Sequence, residues 1–237
     1  MTAAAHVPHR EIVARVTALP DVHPHRIDPV LLPMWQVELL ATVREAEPYD
    51  VLDRHLARAL AEAGLRDPDE LAAFFGLSTG LVERVLAGLA AIGHLRADGQ
   101  LTELGRRSAA DGRRYRDLPG RRVTVWFDGF RGAPVPRTHG LGSVFLSEPA
   151  LTLADGTRFE AMPGAAALPE SAVDDLLARI DLPDFSGNVL AKAEVSAVWQ
   201  MWLPAYVVEC DDAPLVFVKA VDGPDPYLSG LLRHRTR

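Results

Sequence analysis

The chain has 237 residues, 48% of them hydrophobic, and a formal net charge of −7: enough for one large domain or two small ones, and too acidic for a protein that coats nucleic acid without selectivity. Its one cysteine, Cys210, excludes an intrachain disulfide and a cysteine-rich zinc site. No apolar run is long enough to span a bilayer, and His6, His9 and Arg10 interrupt any signal-peptide core, so a cytoplasmic protein without membrane contact is expected.

In chain order, residues 1–10 read as a loose start. Glu11–Leu19 alternates Ile12, Ala14, Val16 and Ala18 with Val13, Arg15 and Thr17, a strand pattern. Residues 20–33 hold four prolines and no sustained period, and read as an extended connector. His6, His9, His23 and His25 are metal ligands by residue type. No acid or cysteine stands at ligand spacing beside them, so no metal is expected. Met34–Ala46 sets Trp35, Leu39, Val43 and Ala46 at helical spacing, and Pro48 ends that segment. Asp50–Ala63 gathers Leu52, Leu56 and Leu60 on one face, with Gly64 as its stop.

Residues 68–95 carry the most readable pattern. Asp67 can cap a helix that has Pro68 at its first position and Glu70 in its first turn. Leu71, Phe74 and Phe75 form an apolar face, and Gly76 breaks the helix. Ser78 or Thr79 caps a second helix with Leu81, Val82, Val85, Leu86, Leu89 and Ile92 on one side. Gly93 stops it, and Asp98-Gly99 turns a short hairpin that returns at Leu101. Residues 50–105 resemble the winged helix-turn-helix domains of bacterial regulators, MarR-like in the short wing ending in LTELG. The other reading is a plain three-helix bundle. The resemblance implies double-stranded DNA as partner, with the second helix in the major groove. Ser78, Thr79 and Arg84 would lie on its exposed face. Arg96 in the wing, and Arg106, Arg107, Arg113 and Arg114 after it, would meet phosphates.

Charge placement follows the same line. Residues 106–122 hold seven arginines against two aspartates, whereas residues 138–232 hold fourteen acids against four bases. A helix over Glu103–Tyr115 is expected to expose the arginines, and Pro119-Gly120 to mark a domain boundary. Beyond it, VTVWFDGF is a strand, Ser143–Ser147 a short strand, and Ala154–Thr157 a hairpin turn. Pro169–Ile180 is a helix with Val173, Leu176, Leu177 and Ile180 on its apolar face. Ala193–Leu203, Ala205–Cys210 and Leu215–Val221 are strands, and a short helix with a basic tail closes the chain. The expected fold class is α+β: an N-terminal winged helix-turn-helix followed by an α+β domain with an antiparallel sheet. The expected divisions are an extension over 1–33, the winged unit with flanking helices over 34–118, and the α+β domain over 119–237.

Catalytic signatures are lacking. No nucleophile elbow, phosphate-binding loop or zinc-protease helix occurs, and Gly140-Leu141-Gly142 is too short to cradle a phosphate. Asp211 and Asp212 disfavour a thiolate at Cys210. Asp128, His139 and Glu194 form a catalytic set only if the fold brings them together. Neither an enzyme nor a cofactor is expected. Trp126, Phe127, Phe130, Trp199, Trp202 and Tyr206 belong to the core or to a partner-binding face. Two functions compete: a DNA-binding regulator that grips phosphates through the arginine block, and a protein-interaction or scaffold subunit of a bacterial multi-component assembly in DNA processing or phage defence. A homodimer fits either one. The helix 79–92 offers one arginine beside one glutamate, which is poor equipment for reading bases.

Overall fold

A computed structural model describes residues 6–20, 22–179, 181–186 and 188–233. Ile180, placed above on a helix face, residues 1–5 of the loose start and most of the basic tail (234–237) lie outside the described residues. The chain divides into two units, one of residues 1–41 with 122–237 and one of residues 42–121.

The expected fold class is corrected by a seven-stranded mixed sheet that starts well before the helix pair. Its first strand, β1 (Pro24–Pro48), is 25 residues long and includes the segment expected to be helical over 34–46. Trp35 and Leu39 satisfy a helical spacing, but Trp35, Val37, Leu39 and Ala41 also alternate, and all four are buried. A period of two puts that whole row on one sheet face, where a helix would scatter it. The helices of residues 51–111 are thus inserted between β1 and β2 (Arg113–Asp128), and they do not form an N-terminal domain. Pro119-Gly120 lies inside β2, where Gly120 takes φ 68°, and the division between the two units falls just after it, between Arg121 and Arg122.

In the first unit, Glu11–Leu19 contributes a helix, α1 (His9–Thr17), in place of the expected strand. Ile12 and Val16, four apart, are fully buried while Val13 stays exposed, and Arg15 pairs with Glu11 at 2.6 Å along the helix. The sheet order runs β3 (Pro134–Val135), β2, β1, β5 (Arg158–Ala161), β4 (Leu151–Thr152), with β6 (Val189–Cys210) on β1 and β7 (Leu215–Phe217) on β6. β1 and β5 run parallel, so the sheet is not purely antiparallel. The expected hairpin at Ala154–Thr157 joins β4 and β5, and Ser143–Ser147 supplies a single bridge, Leu146 to Trp202.

Alternation along the strands sends side chains to two cores. Leu32 and Met34, with Trp126, Leu203, Ala205, Val216 and Val218, pack under the C-terminal helix (Pro226–Arg233) through Leu228, Leu231 and Leu232. On the other face Leu31, Tyr206, Val208 and Phe217 meet Ile12 and Val16 of α1. Further along, Trp35, Val37, Leu39 and Phe127 meet Val173 and Leu176 of the helix Ala172–Leu177. Helices therefore cover both faces, which is why residues 31–35 of β1 are buried without a break.

Candidate interaction surface on the inserted helical unit

The second unit builds its helices from local signals. Asp50 Oδ1 accepts the Leu52 N–H at 3.0 Å and starts α2 (Val51–Arg58), which continues as a π-turn over Ala59–Ala63 and ends at Gly64 in the left-handed region. Asp67 Oδ1 accepts the N–H groups of Asp69 and Glu70 and caps α3 (Pro68–Phe75). Gly76 (φ 66°) ends α3, and α4 (Thr79–Ala91) follows at 116° to it. Leu56, Leu71, Ala72 and Val82 form the core between these helices. Leu95 bridges Leu101 around Gly99 (φ 77°), the expected short hairpin. α5 (Glu103–Asp111) follows, capped by Thr102, whose Oγ1 accepts the Gly105 N–H at 3.1 Å. Gly112 (φ 63°) stops the helix short of Tyr115, so Arg113 and Arg114 stand on β2 and not on a helix.

The residues expected to contact DNA are scattered in role. Ser78 sits at the N-cap of α4 without a capping bond, and Thr79 Oγ1 is spent on Asp69 Oδ1 at 2.7 Å. Arg84 and Arg96 are exposed and form no ion pair among the described residues. Arg106 donates to Glu103 at 2.8 Å and to the Leu101 carbonyl at 2.9 Å. Arg107 lies 3.7 Å from Asp111, with its guanidinium 5.4 Å from the Tyr115 ring centre. Arg113 is exposed, whereas Arg114 buries its Nε with no hydrogen-bond partner among the described residues. Arg121 faces Glu45 at 3.6 Å. Four of the seven arginines of the block, Arg106, Arg107, Arg121 and Arg122, thus face a carboxylate, whereas Arg113, Arg114 and Arg116 form no ion pair among the described residues.

The outer face of α3 and α4 is weakly charged and partly apolar. Ala73, Phe74, Ala87, Gly88, Ala90 and Ala91 are exposed, and Phe74 is 65% exposed. Its ring meets Phe75 edge-on at 4.9 Å. Leu71, Phe74 and Phe75 span about 100° around the helix, and the fold buries Leu71, half-buries Phe75 and leaves Phe74 at the exposed edge of that stripe. The apolar face expected from Leu71, Phe74 and Phe75 is therefore only partly covered.

The same unit holds a polar cluster that no motif announced. His94 is fully buried. Its Nδ1 meets Tyr49 Oη at 3.0 Å, and its Nε2 meets the Tyr115 carbonyl at 2.7 Å and Ser108 Oγ at 3.3 Å. Burial, aided by the Arg114 charge, holds the His94 ring below its ordinary pKa despite the bond to the Tyr115 carbonyl. Burial likewise raises Tyr49 and Asp53. The cluster joins the ends of β1 and β2 to the hairpin and α5.

In the first unit the sequence candidates for chemistry take structural posts. Asp128 is buried and accepts the N–H groups of Phe130, Arg131 and Ala133 at 2.8, 2.8 and 2.7 Å, which shapes the turn after β2. His139 Nε2 meets Asp225 Oδ2 at 2.5 Å, and Asp225 Oδ1 caps the C-terminal helix at Leu228. Tyr227, between them, donates to the Pro134 carbonyl. Asp128 and His139 thus take separate structural partners, and Glu194 is exposed on β6. Cys210 has its thiol pushed up, first by burial and then by Asp211 and Asp212. His25 pairs with Asp211 at 2.7 Å. Among the described residues no three His, Cys, Asp or Glu side chains gather as metal ligands, and no single helix is long and apolar enough to cross a membrane.

Comparisons with protein-family profiles, curated proteins and solved structures returned no match to this chain.

Proposed function

We propose that the protein is a cytoplasmic, non-enzymatic interaction subunit, and that the outer face of α3 and α4 docks a protein partner. The observation that carries this is the exposed Phe74 on an alanine- and glycine-rich face, together with a basic block in which four of the seven arginines already face a carboxylate. A nucleic-acid groove binder needs free cations; a protein interface favours an aromatic anchor among small, uncharged neighbours. The setting in a bacterial multi-component assembly goes with this reading.

DNA binding is the second reading. It is favoured by the 116° crossing of α3 and α4, within the helix-turn-helix range, and by the exposed, unpaired Arg84, Arg96 and Arg113. One experiment separates the two. Full-length protein retrieves a stoichiometric protein from its host, and Phe74→Glu loses it while melting like wild type. Duplex binding that weakens with salt and disappears in the Arg84/Arg96/Arg113 alanine variant, with no protein retrieved, would overturn the docking reading.

A further inference from the structure

Strand β6 has an open edge, and its parity can be read from its neighbours. Val216 of β7 gives its N–H to Ser229 Oγ at 2.9 Å and its carbonyl to the Asp225 N–H at 2.6 Å. The ladder bonds between β6 and β7 therefore fall at Tyr206–Phe217 and Val208–Leu215. Trp202 exchanges N–H and carbonyl with Leu146, both at 2.9 Å, on the same even parity. Even positions of β6 thus aim their backbone groups away from β1. From Lys192 to Gln200, no backbone partner meets them on that side among the described residues.

A sheet edge of this kind is a template for another strand. This one is also apolar: Leu190, Val195, Val198 and Trp199 are 45%, 39%, 46% and 44% exposed. No proline interrupts it before Pro204.

We propose that this edge is a homodimer interface, in which two copies pair their β6 strands antiparallel about a two-fold axis through Ala193. Charge selects both the occupant and the register. Between Val189 and Leu203 the only charged residues are Lys192 and Glu194, of opposite sign, flanking Ala193 and sharing one face. In a two-fold antiparallel pair, only an axis through Ala193 sets each Lys192 directly opposite the partner's Glu194, giving two cross-strand ion pairs and no like-charge contact. The Lys192 ammonium already leans on Asp174 at 2.7 Å, so its position is held before pairing. The same register lays Val195 against the partner's Ala191, and covers Leu190. Ala193 points its own backbone groups at β1, so it faces the partner's Ala193 as a non-hydrogen-bonded pair, with Cα atoms about 4.5 Å apart.

The test uses full-length protein and light scattering across a concentration series. Wild type is expected at twice the chain mass of 25.8 kDa at tens of micromolar. Glu194→Lys is expected to weaken association roughly tenfold or more by setting lysine against lysine twice. Adding Lys192→Glu to it restores the dimer, which a misfolded variant could not do. Independently, Ala193→Cys in a Cys210→Ser background is expected to form a disulfide-linked dimer on mild oxidation, because the Cα separation suits one. A wild type that stays monomeric at about 100 micromolar overturns the proposal. So does a dimer that is indifferent to Glu194→Lys and that the Ala193→Cys variant fails to cross-link.

Discussion

Gly105→Ala sets two physical effects against each other. On an isolated helix the change is favourable by up to about 1 kcal/mol, because alanine is the better helix former. In this protein the new Cβ would stand 2.2 Å from the His94 carbonyl oxygen and 3.0 Å from Leu101 Cδ2. Ordinary contact is about 3.5 Å, so α5 and the hairpin must part by roughly an ångström, using the same contact distance. The obstacle is backbone and cannot rotate away. The His94 carbonyl also accepts the Thr102 N–H at 2.8 Å, and its ring holds Tyr49 and Ser108. Overpacking of about 1–3 kcal/mol, with about 1 kcal/mol for a weakened buried hydrogen bond, gives a net destabilisation of about 1–3 kcal/mol after the propensity gain. For a unit the size of residues 42–121 this lowers the melting temperature by about 4–24 °C. Thermal melts, with amide exchange read at residues 94–115, measure it. A variant that melts at or above wild type would refute the claim that α5 is seated directly on the His94 backbone.

Two further outcomes follow from buried polar groups. Because His94 is held below its ordinary pKa when folded, the unfolded chain takes up a proton there first. The unit's stability should be full above about pH 6.5 and fall as the pH drops through and below that value; melts between about pH 5 and 8 should show the slope, and His94→Asn should flatten it. Asp128→Ala leaves three partly buried N–H groups without their carboxylate and should cost about 2–4 kcal/mol in urea unfolding; an unchanged midpoint would mean that the turn after β2 is held by other contacts.

The helical insert was legible in the sequence because its signals are local. Asp67, Gly76, Thr102 and Gly112 act within a few residues of where they stand, and each one caps or stops a helix. The sheet was harder because its decisive information is remote. Trp35 and Leu39 fit two periods, and Val125, Phe127 and Val173, more than 80 residues later, decide between them. Ile12 and Val16 likewise fit a strand or a helix until Phe159 and Tyr206 are placed. The arginine block was visible as composition, but its ion pairing was visible only in part. Arg106 with Glu103 and Arg107 with Asp111 are spaced three and four apart on a helix, whereas Arg121 with Glu45 and Arg122 with Glu38 meet only because β1 and β2 pair.

The insert leaves along β1 and returns along β2, which are neighbours in the sheet. Arg122 with Glu38 at one level, and Arg44 with Asp117 at another, tie the two strands together. Entry and exit are therefore separated by a strand spacing of about 4.8 Å, the same gap that a two-residue hairpin turn closes. The helical unit is thus joined like a cassette: a short turn in its place would close the same gap and keep β1 and β2 in register.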